Sequence, residues 1–92
     1  MRAAVLIVNY RTYDALDRAL SSLEPWLRDD DEVVVVDWAS DAARVAMLAR
    51  AHPRVRIEGR RGNRGFAAGV NAAAALTTAP LLILLNPDTV VE

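Results

Sequence analysis

Three short, continuously apolar segments constrain the fold of this chain most strongly. They are rich in branched side chains and run over residues 3–8, 32–36 and 81–85. Segments of this length and composition are typical of parallel strands that are covered on both faces. A fourth segment, residues 54–58, alternates polar and apolar side chains. This alternation predicts a strand with one face partly exposed, at an edge of the sheet.

The first predicted helix follows the first strand. Leucines recur at helical spacing between positions 16 and 27, and Thr12 or Asp14 is available as the N-cap. Pro25 falls in the last turn, where its missing N–H group disturbs regular helical hydrogen bonding. We expect one face of this helix to pack on the sheet.

Two further helices are predicted mainly from their ends. The second begins at Ser40 or Asp41 and ends before Pro53, because the residue that precedes a proline disfavours helical backbone. The third begins near Gly65 and ends before the Thr-Thr-Ala-Pro segment at residues 77–80. It carries Phe66, Val70, Ala73, Ala74 and Leu76, and its alanine-rich face is expected to lie tightly on the strands.

The alternation of strands and helices predicts an α/β fold. With right-handed crossovers it corresponds to a Rossmann-like, three-layer open sheet that is mainly parallel, with four strands in the order 3-2-1-4 and three helices. The 92 residues provide enough chain for one compact domain.

Composition excludes several kinds of site and partner. The chain has no cysteine, which rules out disulfides, zinc–thiolate sites and thiol nucleophiles. All 11 basic side chains are arginine, so there is no lysine for a phosphate-binding P-loop or a Schiff base. A net charge of −1 without a basic face argues against nucleic acid as a partner.

The sequence also carries an expectation about location. Its apolar segments are far shorter than the roughly 20 residues that a membrane-spanning helix needs. The first of them is interrupted by Asn9, Tyr10 and Arg11 before it reaches the length of a secretory signal. We therefore expect the protein in the cytoplasm, or at the inner membrane surface.

Polar residues follow every predicted strand at the point where it ends. Because the carboxyl ends of parallel strands lie at one edge of a sheet, these residues are expected to line one crevice. Together they provide an aromatic ring, two carboxylates, several amides and a group of arginines, a combination that suits a nucleotide diphosphate. The four clusters are Asn9-Tyr10-Arg11, Asp37-Trp38, Arg60-Arg61-Gly62-Asn63 and Asn86-Pro87-Asp88.

Each cluster suggests a contact. The Asp37 carboxylate can accept a hydrogen bond from a base N–H group or a ribose hydroxyl, and Tyr10 can stack on a base. Asp88 can hold a divalent cation, Mg²⁺ or Mn²⁺, that bridges phosphate oxygens, since these ions prefer hard oxygen ligands.

Simpler interpretations of the same residues remain open. Asp37 can end a strand and cap the next helix, and residues 86–89 can form an ordinary turn. Glycines 62, 65 and 69 lack the G-x-G-x-x-G spacing of dinucleotide-binding folds, so they can serve packing and chain reversal alone. Contact with phosphate and simple solvation are equally open for the arginines at 60, 61 and 64.

Four ordered motifs resemble a known family. In chain order they are Val8-Asn9-Tyr10, then Val36-Asp37 with Ala39-Ser40 after it, then NRGFAAGVN at residues 63–71 and LLNPDT at residues 84–89. They are similar to the donor-binding half of the large inverting glycosyltransferase family with the GT-A fold, particularly its rhamnosyltransferase-like members. The resemblance covers essentially the whole chain.

The resemblance implies a function for the chain. Residues 1–92 would form the nucleotide-sugar-binding (donor) half of a truncated GT-A domain, with the acceptor half absent. The enzyme would transfer a sugar, such as a hexose or rhamnose, from a UDP- or dTDP-sugar to a glycan or lipid-linked acceptor, with inversion. A divalent metal, Mg²⁺ or Mn²⁺, would assist, and the product would belong to cell-wall or polysaccharide biosynthesis.

The resemblance also implies roles for single residues. The nucleoside would be contacted by Asn9, Tyr10 and Asp37. In the third motif, Asn63 and Gly65 would shape the loop, and Arg64 would contact phosphate. In the fourth motif, Asn86 would face the ribose or sugar, and Asp88 would carry the metal.

The sequence departs from the family pattern at three points. Trp38 replaces a small polar residue, so it either covers the base or blocks the site. Asn86 replaces the first acid of the metal motif, which leaves one charged ligand fewer. The general base of the inverting family is expected in a later segment, and the catalytic residue is unknown.

Two alternatives to the transferase hypothesis are a nucleotide- or flavin-binding Rossmann-like module without transferase activity, and an inactive truncated fragment. In either case the apolar fourth strand predicts pairing with a second copy of the chain through its free edge.

Overall fold

The structure is a computed structural model that describes residues 2–39 and 41–92. Its elements are, in chain order, β1 (Ala3–Asn9), α1 (Tyr13–Leu23), a 3-10 turn (Glu24–Trp26), β2 (Glu32–Asp37), α2 (Ala42–Ala51), β3 (Val55–Gly59), α3 (Phe66–Ala74) and β4 (Leu81–Leu85).

The four strands form one sheet in the order β3-β2-β1-β4. All three pairs are parallel, with Asn9 opposite Asp37, Asp37 opposite Gly59 and Ile7 opposite Leu85. The predicted fold class and strand order are therefore confirmed. Since the strands run in the same direction, they all end at one edge of the sheet, which we call the carboxyl edge.

Both faces of the sheet are covered, which explains the continuous apolar character of its central strands. Val5 and Ile7 pack with α1 and α2 on one face, in a buried cluster that includes Leu16 and Leu48. Alternate residues such as Leu6 point to the other face and pack with α3. A strand buried on both faces cannot alternate polar and apolar side chains, because either kind of position lies in a core.

The first two strands extend one residue farther than their apolar segments predict. Asn9 and Asp37 each form the last residue of their strand and pair with each other across the ladder. β3 starts at Val55 rather than at Arg54, and it lies at the edge of the sheet, as its alternating pattern predicts. The polar strand ends thus belong to the sheet itself.

The end of α1 differs from the helical spacing of its leucines. The helix stops at Leu23, and Pro25 lies in the 3-10 turn that follows. Leu27 still packs on the core, from outside the helix. Thr12 occupies the N-cap position, but its hydroxyl donates to the Asn9 side-chain oxygen instead of capping the helix.

The other two helices begin near their expected positions. Asp41 caps α2 by accepting a hydrogen bond of 3.2 Å from the Arg44 N–H group. The alternative N-cap, Ser40, lies outside the described residues. α3 begins directly after Gly65, but it ends at Ala74, before Leu76. None of the helices in the two described segments has the length and apolarity that a membrane crossing requires.

Candidate functional site at the carboxyl edge

The parallel sheet brings the four polar clusters to the carboxyl edge. Hydrogen bonds continue the ladder just beyond the strand ends, from the Trp38 N–H group to the Asn9 carbonyl at 3.0 Å and from the Arg60 N–H group to the Asp37 carbonyl at 2.7 Å. The chain segments after β1, β2 and β3 are therefore in register where they leave the sheet.

Asp37 lies at the centre of a buried polar network. Neither Asp37 nor Asn9 is exposed, at 0% each. The Asp37 carboxylate accepts hydrogen bonds from Asn9 Nδ2 at 3.2 Å and from the Tyr13 hydroxyl at 2.7 Å. The same hydroxyl accepts a bond of 3.2 Å from the Asp41 N–H group. The network thus joins β1, β2 and the starts of α1 and α2.

Tyr13 stays protonated in this network. Burial, followed by the hydrogen bond to Asp37, raises the pKa of Tyr13 above its ordinary value of 10.0. The sequence argument for the site did not include this residue. Its spacing from Leu16 and Leu20 gives the available signal, because it places the ring on the inner face of α1, where a tyrosine hydroxyl needs a polar partner.

Burial bears directly on the expected nucleoside contacts. Because the Asp37 carboxylate is fully buried and already accepts hydrogen bonds from Asn9 and Tyr13, a ligand would have to compete with these partners to reach it. The nucleoside roles of Asn9 and Asp37 stay predictions. What the structure shows is that both side chains order the carboxyl edge.

A cavity of about 310 Å³ opens beside Trp38 and is called here the Trp38 cavity. Its lining consists of Trp38, Arg60, Arg61, Arg64 and Ala68. Arg60 forms an ion pair of 3.0 Å with Glu58. Within residues 2–39 and 41–92, the side chains of Arg61 and Arg64 make no ion pair or hydrogen bond. Guanidinium groups only donate, so this cavity is suited to an anion or another group of acceptors.

The segment that carries these arginines, residues 60–65, is called the arginine loop. Gly62 and Gly65 have φ values of 77° and 91°, a backbone region that glycine adopts without strain. The Asn63 side chain accepts a hydrogen bond of 2.9 Å from the Gly65 N–H group, which closes a local turn. The loop therefore folds back on itself directly before α3.

An aromatic–cation pair follows β1. Tyr10 is 41% exposed, and the Arg11 guanidinium lies over its ring, 5.0 Å from the centroid. Arg11 has a φ of 60°, which is unfavourable for a residue with a side chain. The pair presents a partly exposed ring and a positive charge at the carboxyl edge.

The residues after β4 form a turn, as the simpler interpretation suggested. The Thr89 N–H group donates to the Asn86 carbonyl at 3.1 Å, and the side chains of Asn86 and Asp88 are exposed. A turn does not preclude a metal site. One carboxylate, an amide oxygen, water and substrate phosphates form a set of hard oxygen ligands of the kind that Mg²⁺ commonly has in nucleotide enzymes. Among the described residues no group of three or more His, Cys, Asp or Glu side chains converges on one point.

A larger cavity, of about 460 Å³, lies between α1 and α2. Its charged groups already have partners, because Arg44 pairs with Asp14 at 2.7 Å and Asp17 pairs with His52 at 2.7 Å. This cavity therefore offers a nucleotide no unpaired positive charge, unlike the Trp38 cavity.

The fold occurs in solved structures of larger proteins. A mannosyltransferase from Pyrobaculum calidifontis, solved in complex with GDP-Man and Mn²⁺, aligns with 96% of this chain at a TM-score of 0.83 and 24% identity. TarS from S. aureus aligns with 96% of the chain at a TM-score of 0.74 and 19% identity. The chain spans 28% and 17% of these proteins, respectively. At these identities the likeness shows the fold alone.

Comparison of the sequence with known proteins and families identifies the family of the chain. A search of curated proteins gave no match. The profile of glycosyl transferase family 2, in contrast, matches residues 4–92. Since this match covers almost the whole chain, the protein belongs to glycosyl transferase family 2.

Proposed function

We propose that this chain supplies the donor and metal side of a glycosyltransferase that uses a nucleotide-diphosphate sugar. The observation that carries the proposal is the Trp38 cavity, in which Arg61 and Arg64 lack acidic partners among the described residues. Phosphate is the ligand class that arginine recognises best, because its planar fork matches two phosphate oxygens.

The distance between β2 and β4 at the carboxyl edge supports the same proposal. β2 and β4 are separated by β1 alone, so the Trp38 cavity and Asp88 follow strands that lie two spacings apart, roughly 10 Å. An extended nucleoside diphosphate is of comparable length. The nucleoside would lie near Asn9, Tyr10 and Asp37, and the diphosphate would run between the arginines of the Trp38 cavity and Asp88.

Asp88 is the proposed metal ligand, and Asn86 would face the ribose or the sugar. When bound, Mg²⁺ or Mn²⁺ would neutralise negative charge on the leaving diphosphate. The mannosyltransferase that shares the fold was solved with Mn²⁺, which supports the choice of ion. Arg64 would add positive charge to the same diphosphate from the Trp38 side.

The reaction would proceed by direct displacement at the anomeric carbon, with inversion. None of the described residues is assigned as the general base. The proposed donor is UDP- or dTDP-sugar, and the acceptor a glycan or lipid-linked glycan in cell-wall or polysaccharide synthesis, in the cytoplasm or at the inner membrane surface. GDP belongs in every binding test, because the mannosyltransferase neighbour holds GDP-Man.

Calorimetry with UDP, dTDP, GDP, NAD and FMN, each with Mn²⁺ and with a chelator, tests this function. We expect a nucleoside diphosphate to bind more tightly than NAD or FMN. Asp88→Asn should weaken that binding in Mn²⁺ and not in chelator, because it removes a cation ligand. Asp30→Asn, which makes the same charge change in the exposed turn before β2, is the matched control.

Preferential binding of NAD or FMN would instead support a Rossmann-like cofactor module. The glycine spacing argues against that second candidate, because residues 62, 65 and 69 do not form the G-x-G-x-x-G pattern. An equal effect of Asp88→Asn and Asp30→Asn would contradict the metal role of Asp88.

A second copy of the chain is the proposed protein partner. Four residues of β4, Leu81 to Leu84, are 41–50% exposed, and the strand carries no charge. β3, at the opposite edge of the sheet, carries Arg56 and Glu58, and such charges discourage strand pairing. We expect β4 to pair with β4 of another chain. Sedimentation that shows only monomer across concentrations would count against this.

A further inference from the structure

We propose that Trp38 is a positioning residue of the donor site. It holds the arginine loop against the end of β2 and so keeps Arg61 and Arg64 on one cavity. The inference rests on the proposed function, and it adds a role for a side chain that the expected donor contacts leave out.

Trp38 is fixed at both its backbone and its side chain. Only 4% of the residue is exposed. Its backbone N–H group donates to the Asn9 carbonyl at 3.0 Å, which continues the β1–β2 ladder. Its indole Nε1 donates to the Gly65 carbonyl at 3.1 Å. The side chain therefore links the sheet to the residue directly before α3.

Close packing of α3 supports this link. A Cβ atom added at Gly69 would lie 3.1 Å from Trp38 Nε1 and 2.5 Å from Val8 Cγ1. α3 therefore rests directly on the indole and on β1. Ala68, the residue before Gly69, lines the Trp38 cavity. The indole thus separates the helix from the end of the sheet and forms one wall of the cavity.

The arginine loop depends on such attachments. Its two glycines have positive φ values, and glycine loses more backbone freedom on ordering than any other residue. Two hydrogen bonds join the loop backbone to the end of β2. At the first residue of the loop, the Arg60 N–H group donates to the Asp37 carbonyl. At its last residue, the Gly65 carbonyl accepts from Trp38 Nε1. The Gly65 carbonyl also accepts a bond of 3.2 Å from the Gly69 N–H group, so loss of the Trp38 bond would detach the end that carries Arg64 from β2 while leaving it joined to α3.

Hydrogen exchange of the chain without nucleotide tests the attachment. Trp38→Phe keeps an aromatic ring and removes the donor. We expect amide exchange in the arginine loop to rise about three- to tenfold, which is what loss of one hydrogen bond converts to. Exchange in β1 should not change. Trp26→Phe is the matched control, because Trp26 is 63% exposed and lies outside the site. Unchanged exchange in the loop would overturn the proposal.

A second variant covers the case in which Trp38→Phe fails to fold. In the Trp26→Phe background, Trp38 can be replaced biosynthetically by benzothienylalanine, which keeps the shape of the indole and has sulfur in place of N–H. The same rise in loop exchange is expected from this replacement. A folded protein with unchanged exchange in the loop would contradict the role of Nε1.

A double-mutant cycle on nucleotide affinity tests the consequence for the site. Arg64→Gln should weaken binding of the best nucleoside diphosphate more in the wild-type background than in Trp38→Phe, because a released loop no longer aims the guanidinium at the ligand. Additive effects would overturn the positioning role, since simple destabilisation of the fold predicts additivity. If no nucleotide binds the wild-type chain, the proposed function fails, while the exchange experiment still decides whether Trp38 holds the loop.

Discussion

At the scale of single residues, the carboxyl edge is organised by polar side chains that the protein buries. Asp37 is fully buried and accepts hydrogen bonds from Asn9 and from Tyr13. A buried carboxylate is stable only while it has such partners, so each of them contributes more than an exposed contact would. The proposed donor site thus lies on a network that also stabilises the fold.

The Tyr13 hydroxyl can be tested by its removal. Tyr13→Phe keeps the ring but takes one partner from the buried carboxylate and one from the Asp41 N–H group. We expect the free energy of unfolding to fall by about 1–3 kcal/mol, the usual penalty for a buried polar group that loses a partner. Urea denaturation measures this. Tyr10→Phe, at a partly exposed ring, is the control, and equal effects of the two variants would contradict the network.

His52 provides a second residue-scale test. It is 3% exposed, and its ring nitrogens lie 2.6 Å from Glu24 Oε1 and 2.7 Å from Asp17 Oδ1. Burial lowers the pKa of His52, but the hydrogen bonds and charges of the two carboxylates outweigh burial and raise that pKa above its ordinary value of 6.5. The protonated ring therefore joins the end of α2 to α1 and to the 3-10 turn.

The sign of the pH effect follows from this shift. A histidine whose pKa is raised by folding stabilises the protein fully below its unfolded-state pKa of about 6.5, and the contribution disappears as the pH rises through the higher folded-state value. We expect the free energy of unfolding to decrease from pH 6 upwards in wild type, and this dependence to be lost in His52→Gln. Urea denaturation across this pH range is the measurement, and identical pH profiles would refute the assignment.

At the scale of elements, local pattern predicted the strands well and the helix ends less well. Residues 81–85 form a strand with the predicted bounds, but β4 lies at an edge of the sheet and Leu81 to Leu84 are 41–50% exposed, so the prediction that this segment is covered on both faces is wrong. α1 stops at Leu23 although the leucine spacing continues to Leu27. Pro25 lies in the 3-10 turn that ends the helix, and Leu27 packs on the core from the extended residue after that turn, a position that leucine spacing alone does not distinguish from a helical one.

The packing of α3 on the sheet yields an element-scale prediction. Gly69→Ala would place a Cβ atom 2.5 Å from Val8 Cγ1. Overpacking costs about 1–3 kcal/mol and exceeds the gain of about 1 kcal/mol that alanine brings to a helix, so stability should fall. Denaturation of Gly69→Ala alone and in a Val8→Ala background measures this. The second background should reduce the loss, leaving only the contact of 3.1 Å with Trp38 Nε1, and an equal loss in both would show that the contact with Val8 is not its cause.

At the scale of the whole molecule, topology explains why much of the site could be anticipated. A parallel sheet carries the residues after each strand to one edge, so Asn9, Asp37 and Asp88 could be grouped from their positions after apolar segments. The partners of Asp37 and the enclosure of Trp38 could not. Both features depend on the orientation of α1 and α3 against the sheet. This orientation is set by contacts between residues far apart in sequence, such as Trp38 with Gly65.

The central claim is that one donor bridges the carboxyl edge from the Trp38 cavity to Asp88. The most direct test is a crystal of the protein soaked with UDP and Mn²⁺, or with the diphosphate that binds best in calorimetry. We predict density for the nucleotide beside Trp38, with its diphosphate between Arg64 and an ion at Asp88. Nucleotide bound instead between α1 and α2, or an ion bound away from Asp88, would contradict the account.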